Sequence, residues 1–209
     1  MRAELRPHAR AGATPSPAVH PAPLNIVLFG PPGAGKGTQA DRFAERHHVP
    51  KISTGDILRK AVQDGSELGS LVKNTLQSGA LVGDELMIQV VRRRLEQPDT
   101  AKGFVLDGFP RTLAQAIELD ALVVARGRLV VIALVVHADE VVSRLSKRGR
   151  NDDEAWVIRE RLQVYSSKTE PVLEYFRRRK LVTVLDGNRP LDEVTAALEA
   201  AVARALDKR

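Results

Sequence analysis

The sequence predicts an α/β protein built on a parallel β-sheet with helices on both faces. Three observations predict it. From residue 24 onward, short β-branched runs alternate with helix-compatible segments. Residues 129–136 are continuously apolar, which is what a strand covered on both faces requires. The first run, residues 24–29, passes directly into a glycine-rich turn and then into a helical pattern, the context of a strand, loop and helix unit.

The first 23 residues stand outside that alternation. They are rich in Ala, Pro, Arg and His, have Glu4 as their one acid, and are broken by Pro7, Pro15, Pro17, Pro21 and Pro23. A disordered N-terminal extension is expected over 1–23, since nothing in it can build a core. A transit peptide is also basic, but it is Ser-rich and amphipathic, and these prolines interrupt any such helix. Residues 24–209 are then one domain, a size that allows a substantial core.

The run at 24–29 is the first expected strand, followed by Gly30-Pro31-Pro32-Gly33-Ala34-Gly35-Lys36-Gly37-Thr38 and the helical pattern of 39–48. This is a phosphate-gripping loop. Glycines let backbone N–H groups approach phosphate oxygens, and Lys36 and the helix N-terminus supply positive potential. The usual pattern has a hydroxyl directly after the lysine. Here that position is Gly37, and the hydroxyl moves to Thr38.

Residues 51–53 are the second expected strand, ending at Ser53-Thr54-Gly55-Asp56. Residues 55–82 read as two short helices broken at Gly65 and Gly79, an insertion able to move as a unit. The third strand, 103–107, ends at Asp107-Gly108-Phe109-Pro110-Arg111. Asp107 follows a buried-looking run at a strand end, where its carboxylate can hold a magnesium ion through the ion's water shell. Arg111, beyond Pro110, points into the same cleft, and arginine suits bidentate phosphate contacts.

The fourth strand, 129–136, leads to a helix that Asp139 starts, on which Arg144 and Arg148 lie four apart and share a face. Residues 147–153, Lys-Arg-Gly-Arg-Asn-Asp-Asp, interrupt two helical patterns and form a second mobile candidate. In the next helix Arg159 and Arg161 are two apart, so at most one of them faces a ligand. The fifth strand is 181–186. In a parallel sheet ligands gather at the carboxyl ends of the strands, so the three polar clusters converge on one edge.

Composition narrows the chemistry. The net charge is +6, but two Tyr and one Trp are few stacking platforms for nucleic acid, and the arginine clusters 92–94 and 177–179 read as solvated helix faces. No nucleic-acid partner is expected. No apolar stretch reaches membrane-spanning length. There is no cysteine, which removes disulfides and cysteine zinc sites and is compatible with a reducing, cytoplasmic setting. Phosphoryl transfer between two polyphosphates needs several cations and no nucleophilic side chain. The sequence supplies the cations. His47 and His48 suit the C-terminal end of the first helix, and His137 follows a strand; none of them is assigned catalysis. Trp156, Val157, Leu162, Val164, Leu173 and Phe176 read as a stripe of helix packing.

Four separated motifs now stand in order: residues 30–38; Ile52-Ser53-Thr54-Gly55-Asp56-Ile57-Leu58-Arg59; residues 103–112 with Gln115; and residues 148–153. Together, over essentially all of residue 24 to the C-terminus, they resemble the adenylate kinase family. The resemblance implies a P-loop NTPase-type, five-stranded parallel sheet with an AMP-binding insertion at 53–82 and a short lid at 147–153. It also implies a reversible, Mg2+-dependent transfer of the terminal phosphoryl group of ATP to AMP, giving two ADP and serving adenine nucleotide homeostasis, by a monomer.

Carried over position by position, the resemblance assigns the ATP phosphates to Gly33, Ala34, Gly35, Lys36, Gly37 and Thr38, with Lys36 the principal cation. Arg144, Arg148 and the backbone of Gly187 would also meet ATP. AMP would meet Thr54, Arg59, Ala80, Leu81, Val82, Gly108, Phe109, Pro110, Arg111 and Gln115, with Gln115 reading the adenine edge. Arg150 and Arg161 would face AMP and the transferring phosphate. Lys36, Arg111, Arg144, Arg148, Arg150 and Arg161 would be the catalytic cations. The short lid lacks the longer insertion with its cysteine-rich site, so no zinc is expected. Gly83 stands where the family often has Pro or Thr before Asp-Glu, which adds backbone freedom beside the insertion. The alternatives are a UMP/CMP-type nucleoside monophosphate kinase, against which Thr112 and Gln115 argue, and an inactive kinase-like binding protein, against which Lys36, Asp107, Arg111 and Arg148 argue.

Overall fold

A computed structural model describes residues 23–148, without the Arg148 side chain, and 154–207. The expected extension over residues 1–22 lies outside the described residues, as do residues 149–153 of the expected lid. Five parallel strands form one sheet in the order β2-β3-β1-β4-β5. They are β1 Leu24–Phe29, β2 Lys51–Ser53, β3 Gly103–Asp107, β4 Arg128–Val135 and β5 Val182–Asp186. The fourth starts and ends one residue earlier than the apolar run suggests, and the fifth starts one later.

Side chains alternate between the two faces of each strand, and both faces are buried. Val27, Phe29, Phe104, Leu106 and Val131 join one core with α4 (Asp84–Leu95), α5 (Leu113–Val124) and α8 (Val172–Arg178). Ile26, Leu28, Val105, Ile132 and Leu134 join the other with α1 (Lys36–His47) and α9 (Leu191–Asp207). Burying each such side chain is worth about 1.5–3 kcal/mol. A smaller cluster, Val141, Leu145 and Ile158, joins α6 (Ala138–Arg148) to α7 (Ala155–Val164).

The register brings the functional ends together. Leu28 pairs with Asp107, Ser53 also pairs with Asp107, and Phe29 pairs with Ala133, so β1, β2 and β3 finish at one edge. β1 lies between β3 and β4, which puts its carboxyl end at the point where strand order reverses, the crevice where open α/β sheets bind ligands.

The insertion folds as two helices, α2 (Thr54–Gln63) and α3 (Glu67–Ser78). Ser53 and Ser66 cap them, their hydroxyls accepting from Asp56 N and Gly69 N at 3.3 and 3.1 Å. Gly69 is needed where the helices cross, since a Cβ there would lie 2.1 Å from Ala61 O. Among the described residues, no helix is long and apolar enough to cross a membrane.

Candidate active site

The loop between β1 and α1 packs on α6. Gly33 has φ +83°, and a Cβ on it would come within 2.9 Å of Leu145 Cγ and 3.1 Å of Val141 O. A larger residue there meets both backbone strain and a clash with the helix that carries Arg144. Lys36 Nζ donates to Gly30 O and Pro31 O, each at 2.8 Å, so its ammonium lies over the loop. The N-terminal end of α1 opens into a polar cleft of about 350 Å³ lined by Gly33, Lys36, Thr38, Asp107, Arg111 and Arg144.

Gly37 faces Asp107 across this cleft. A Cβ on Gly37 would lie 3.4 Å from Asp107 Oδ2 and 3.7 Å from Lys51 Nζ, ordinary contact distances. The displaced hydroxyl therefore leaves room between a carboxylate and an ammonium. Arg144 Nη2 donates to Gly187 O at 3.0 Å, while its Nε donates to Glu140 Oε1 at 2.7 Å. A second hollow, about 280 Å³, continues from Ala34 and Thr38 past Arg144 to Gly187 and Leu191. Its floor is tied to α1: Gln39 Nε2 donates to Leu191 O, and Thr195 Oγ1 donates to Gln39 Oε1.

On the other side of the cleft, the turn after β3 is built on Gly108 O. It accepts from Thr54 Oγ1 at 2.9 Å and from Arg111 Nε at 2.7 Å. The Phe109–Pro110 peptide is cis. Arg59 donates to Asp56 Oδ1 at 2.5 Å and lies over Gly55. Burial alone would push the Asp56 carboxyl up, but the Arg59 hydrogen bond, that of Ser53 and the nearby Lys51 charge outweigh it and hold it below the usual carboxylate range. A hollow here is lined by Thr54, Leu81, Val82, Gln115 and Arg161. Arg59, Arg111 and Arg161 each border both this hollow and the phosphate cleft, so these cations stand where the two meet.

The match with known proteins follows this geometry. A family model described as adenylate kinase matches residues 28–181. An adenylate kinase of Archaeoglobus fulgidus is 40% identical over 210 residues, covering 85% of this chain and 97% of its own. One of Acidothermus cellulolyticus is 44% identical over 212 residues (86% and 98%), and one of Trichodesmium erythraeum 44% over 186 residues (86% and 97%).

The chain belongs to the adenylate kinase family.

Of the positions that the family resemblance marks, Gly33, Ala34, Gly35, Lys36, Gly37, Thr38, Arg144 and Gly187 come together on the β1 side. Thr54, Arg59, Ala80, Leu81, Val82, Gly108, Arg111, Gln115 and Arg161 come together on the β3 side, with Phe109 and Pro110 bordering the same edge. Arg148 ends α6, and Arg150 lies outside the described residues. Arg159 donates to Ala155 O on its own helix, so of the pair two apart it is Arg161 that faces the cleft.

One reading of the adenylate kinase chain is corrected. Trp156 does not pack with the stripe: it is 53% exposed and donates Nε1 to Glu154 Oε2 at 2.7 Å, while Val157 of the expected stripe is buried together with Ile158. Three residues of the cleft were missed in the sequence. Lys51 and Tyr165 line it, and Asp84 holds Gln115 from behind. Asp84 alone had a signal, as an acid in the first turn of α4.

Proposed function

We propose that the β1 side is the donor half and the β3 side the acceptor half of a single two-nucleotide site. The chain's family activity is ATP:AMP phosphotransfer. The observation that carries the residue assignment is the placing of Lys36, Arg144, Arg111 and Arg161 around one continuous cleft at the strand ends. The triphosphate of ATP lies over residues 33–38, with Lys36 and the α1 N-terminus on its β- and γ-oxygens. The base extends toward Gly187.

AMP enters between the insertion, residues 53–82, and the turn 108–111. Arg59 and Arg111 hold its phosphate, and Gln115 meets the adenine edge. An AMP phosphate oxygen then attacks the γ-phosphorus while the bond to the β–γ bridging oxygen breaks, and that oxygen leaves on ADP. Charge spreads over the equatorial oxygens in this step, so Arg111, Arg144 and Arg161, with Arg148 and Arg150 of the lid segment 147–153, supply the stabilisation; no side-chain nucleophile is needed.

The residues fit a magnesium ion delivered with ATP. Among the described residues, no group of three or more His, Asp, Glu or Cys could hold an ion by itself. Asp107, whose Oδ2 would lie 3.4 Å from a Cβ on Gly37, would hold such an ion through its water shell. When bound, the ion would neutralise charge on the donor phosphates.

We read the protein as a monomer, and its cysteine-free composition suits a cytoplasmic enzyme. The test is a coupled assay of ADP formation with ATP, AMP and Mg2+. Two ADP per AMP consumed is the expected stoichiometry; ADP formation that does not require AMP overturns the acceptor half.

A further inference from the structure

Lys51 belongs to none of the four motifs, yet its ammonium is inside the phosphate cleft. It begins β2, and its side chain, 19% exposed, crosses to α1, donating from Nζ to Asp41 Oδ1 at 2.8 Å and to Gly37 O at 3.2 Å. Gly37 is where the common loop pattern carries a hydroxyl, and a Cβ built there would lie 3.4 Å from Asp107 Oδ2 and 3.7 Å from Lys51 Nζ. A positive charge thus stands beside the position where a divalent ion and the donor phosphates would meet. Asp41, its other partner, is 66% exposed, so solvent screens that pair and leaves the ammonium able to exchange one anionic partner for another.

We propose that Lys51 is a tethered cation of the donor site, sharing with the divalent ion the neutralisation of the ATP phosphates. This rests on the donor-half reading above. The role is one of binding and positioning. The ammonium reaches phosphate oxygens on the Gly37 side, opposite Lys36, which is held over Gly30 and Pro31. A fixed charge interacts more strongly with metal-free ATP than with the magnesium complex, whose net negative charge is smaller. Lys51 therefore reduces the gain in ATP affinity that Mg2+ brings.

That gain is measurable without turnover. Kd for ATP is determined by calorimetry with EDTA and again with saturating Mg2+, for the wild type, Lys51→Gln and Lys51→Arg. Lys51→Gln is expected to weaken metal-free ATP by at least about fivefold more than it weakens the magnesium complex, the scale of a partly screened hydrogen bond to a charged group. Lys51→Arg is expected to keep most of the wild-type ratio. A lysine that only ties β2 to α1 would lower both affinities alike. An unchanged ratio of the two Kd values in Lys51→Gln overturns the inference while leaving the donor half standing. Should Lys51→Gln fail to fold, Lys51→Met keeps the apolar stem and is read by the same ratio. A wild-type protein that binds ATP in neither condition overturns the donor half and this inference with it.

Discussion

Gln115 Nε2 donates to Asp84 Oδ1 at 2.8 Å, and that same oxygen accepts from Thr112 Oγ1 at 2.9 Å. The Gln115 carbonyl is held too, accepting from Arg111 N at 2.8 Å. A residue 2% exposed is thereby fixed in its rotamer and in its amide orientation, with one N–H and one lone pair left for a ligand. Its neighbour Arg111, from whose backbone N–H it accepts, is the arginine proposed for the AMP phosphate, so the proposed base and phosphate contacts share one anchor.

Asp84→Ala removes that anchor without touching nucleotide. It leaves Gln115 and Thr112 short of an acceptor, a loss of about 1–3 kcal/mol. The KM for AMP is expected to rise about tenfold, by the same free-energy conversion, while the KM for ATP stays nearly unchanged because Asp84 does not line the proposed donor side. Steady-state kinetics with each substrate varied in turn decides it. Equal rises in both constants would show that Asp84 acts through general stability instead.

Lys36→Met should lower kcat/KM by about 10²–10³ or more, the scale for losing a preorganised cation on developing charge. The fold should persist, because the lost contacts, two bonds to loop carbonyls among them, lie at the cleft and not in either core. Circular dichroism and the ADP assay on one preparation check both halves. Wild-type turnover by a folded variant would remove the loop from the donor site.

Tyr165, in the π-helical turn Tyr165–Thr169 beside the cleft, has its phenol pushed up to about 12 by burial, reinforced by the Glu170 carboxylate and opposed by Arg177. An acid whose pKa is raised in the folded state stays protonated there while the unfolded chain ionises. Stability should therefore fall as pH climbs from the ordinary value of 10.0 toward about 12. Absorbance titration at alkaline pH should show a component near 12 that Tyr165→Phe removes. If Tyr165→Phe leaves the native titration unaltered, the buried phenol is not the group responsible.

Much of this was legible in the chain. The strands could be found because residues such as Val105 and Ile132 are apolar on both sides of a sheet that helices cover twice, and such runs are continuous. The donor loop was legible because its glycines, its lysine and the following helix are adjacent in sequence. What could not be read are contacts made through space. Lys51 reaches Gly37 across 14 positions and Asp84 reaches Gln115 across 31, and neither spacing follows a helical or strand period. Trp156 was misplaced for a related reason. A helix with apolar residues on more than one side does not say which side turns inward, and here Val157 and Ile158 take the inner position while the indole bonds to Glu154.

The central claim is that one cleft pairs an ATP half with an AMP half, and acceptor preference tests it most directly. Phosphorylation of AMP, CMP, UMP and GMP by ATP, compared as kcat/KM at fixed Mg2+, should favour AMP by about tenfold or more, since Gln115 is held for one base edge. Turnover of CMP or UMP above that of AMP would contradict the account.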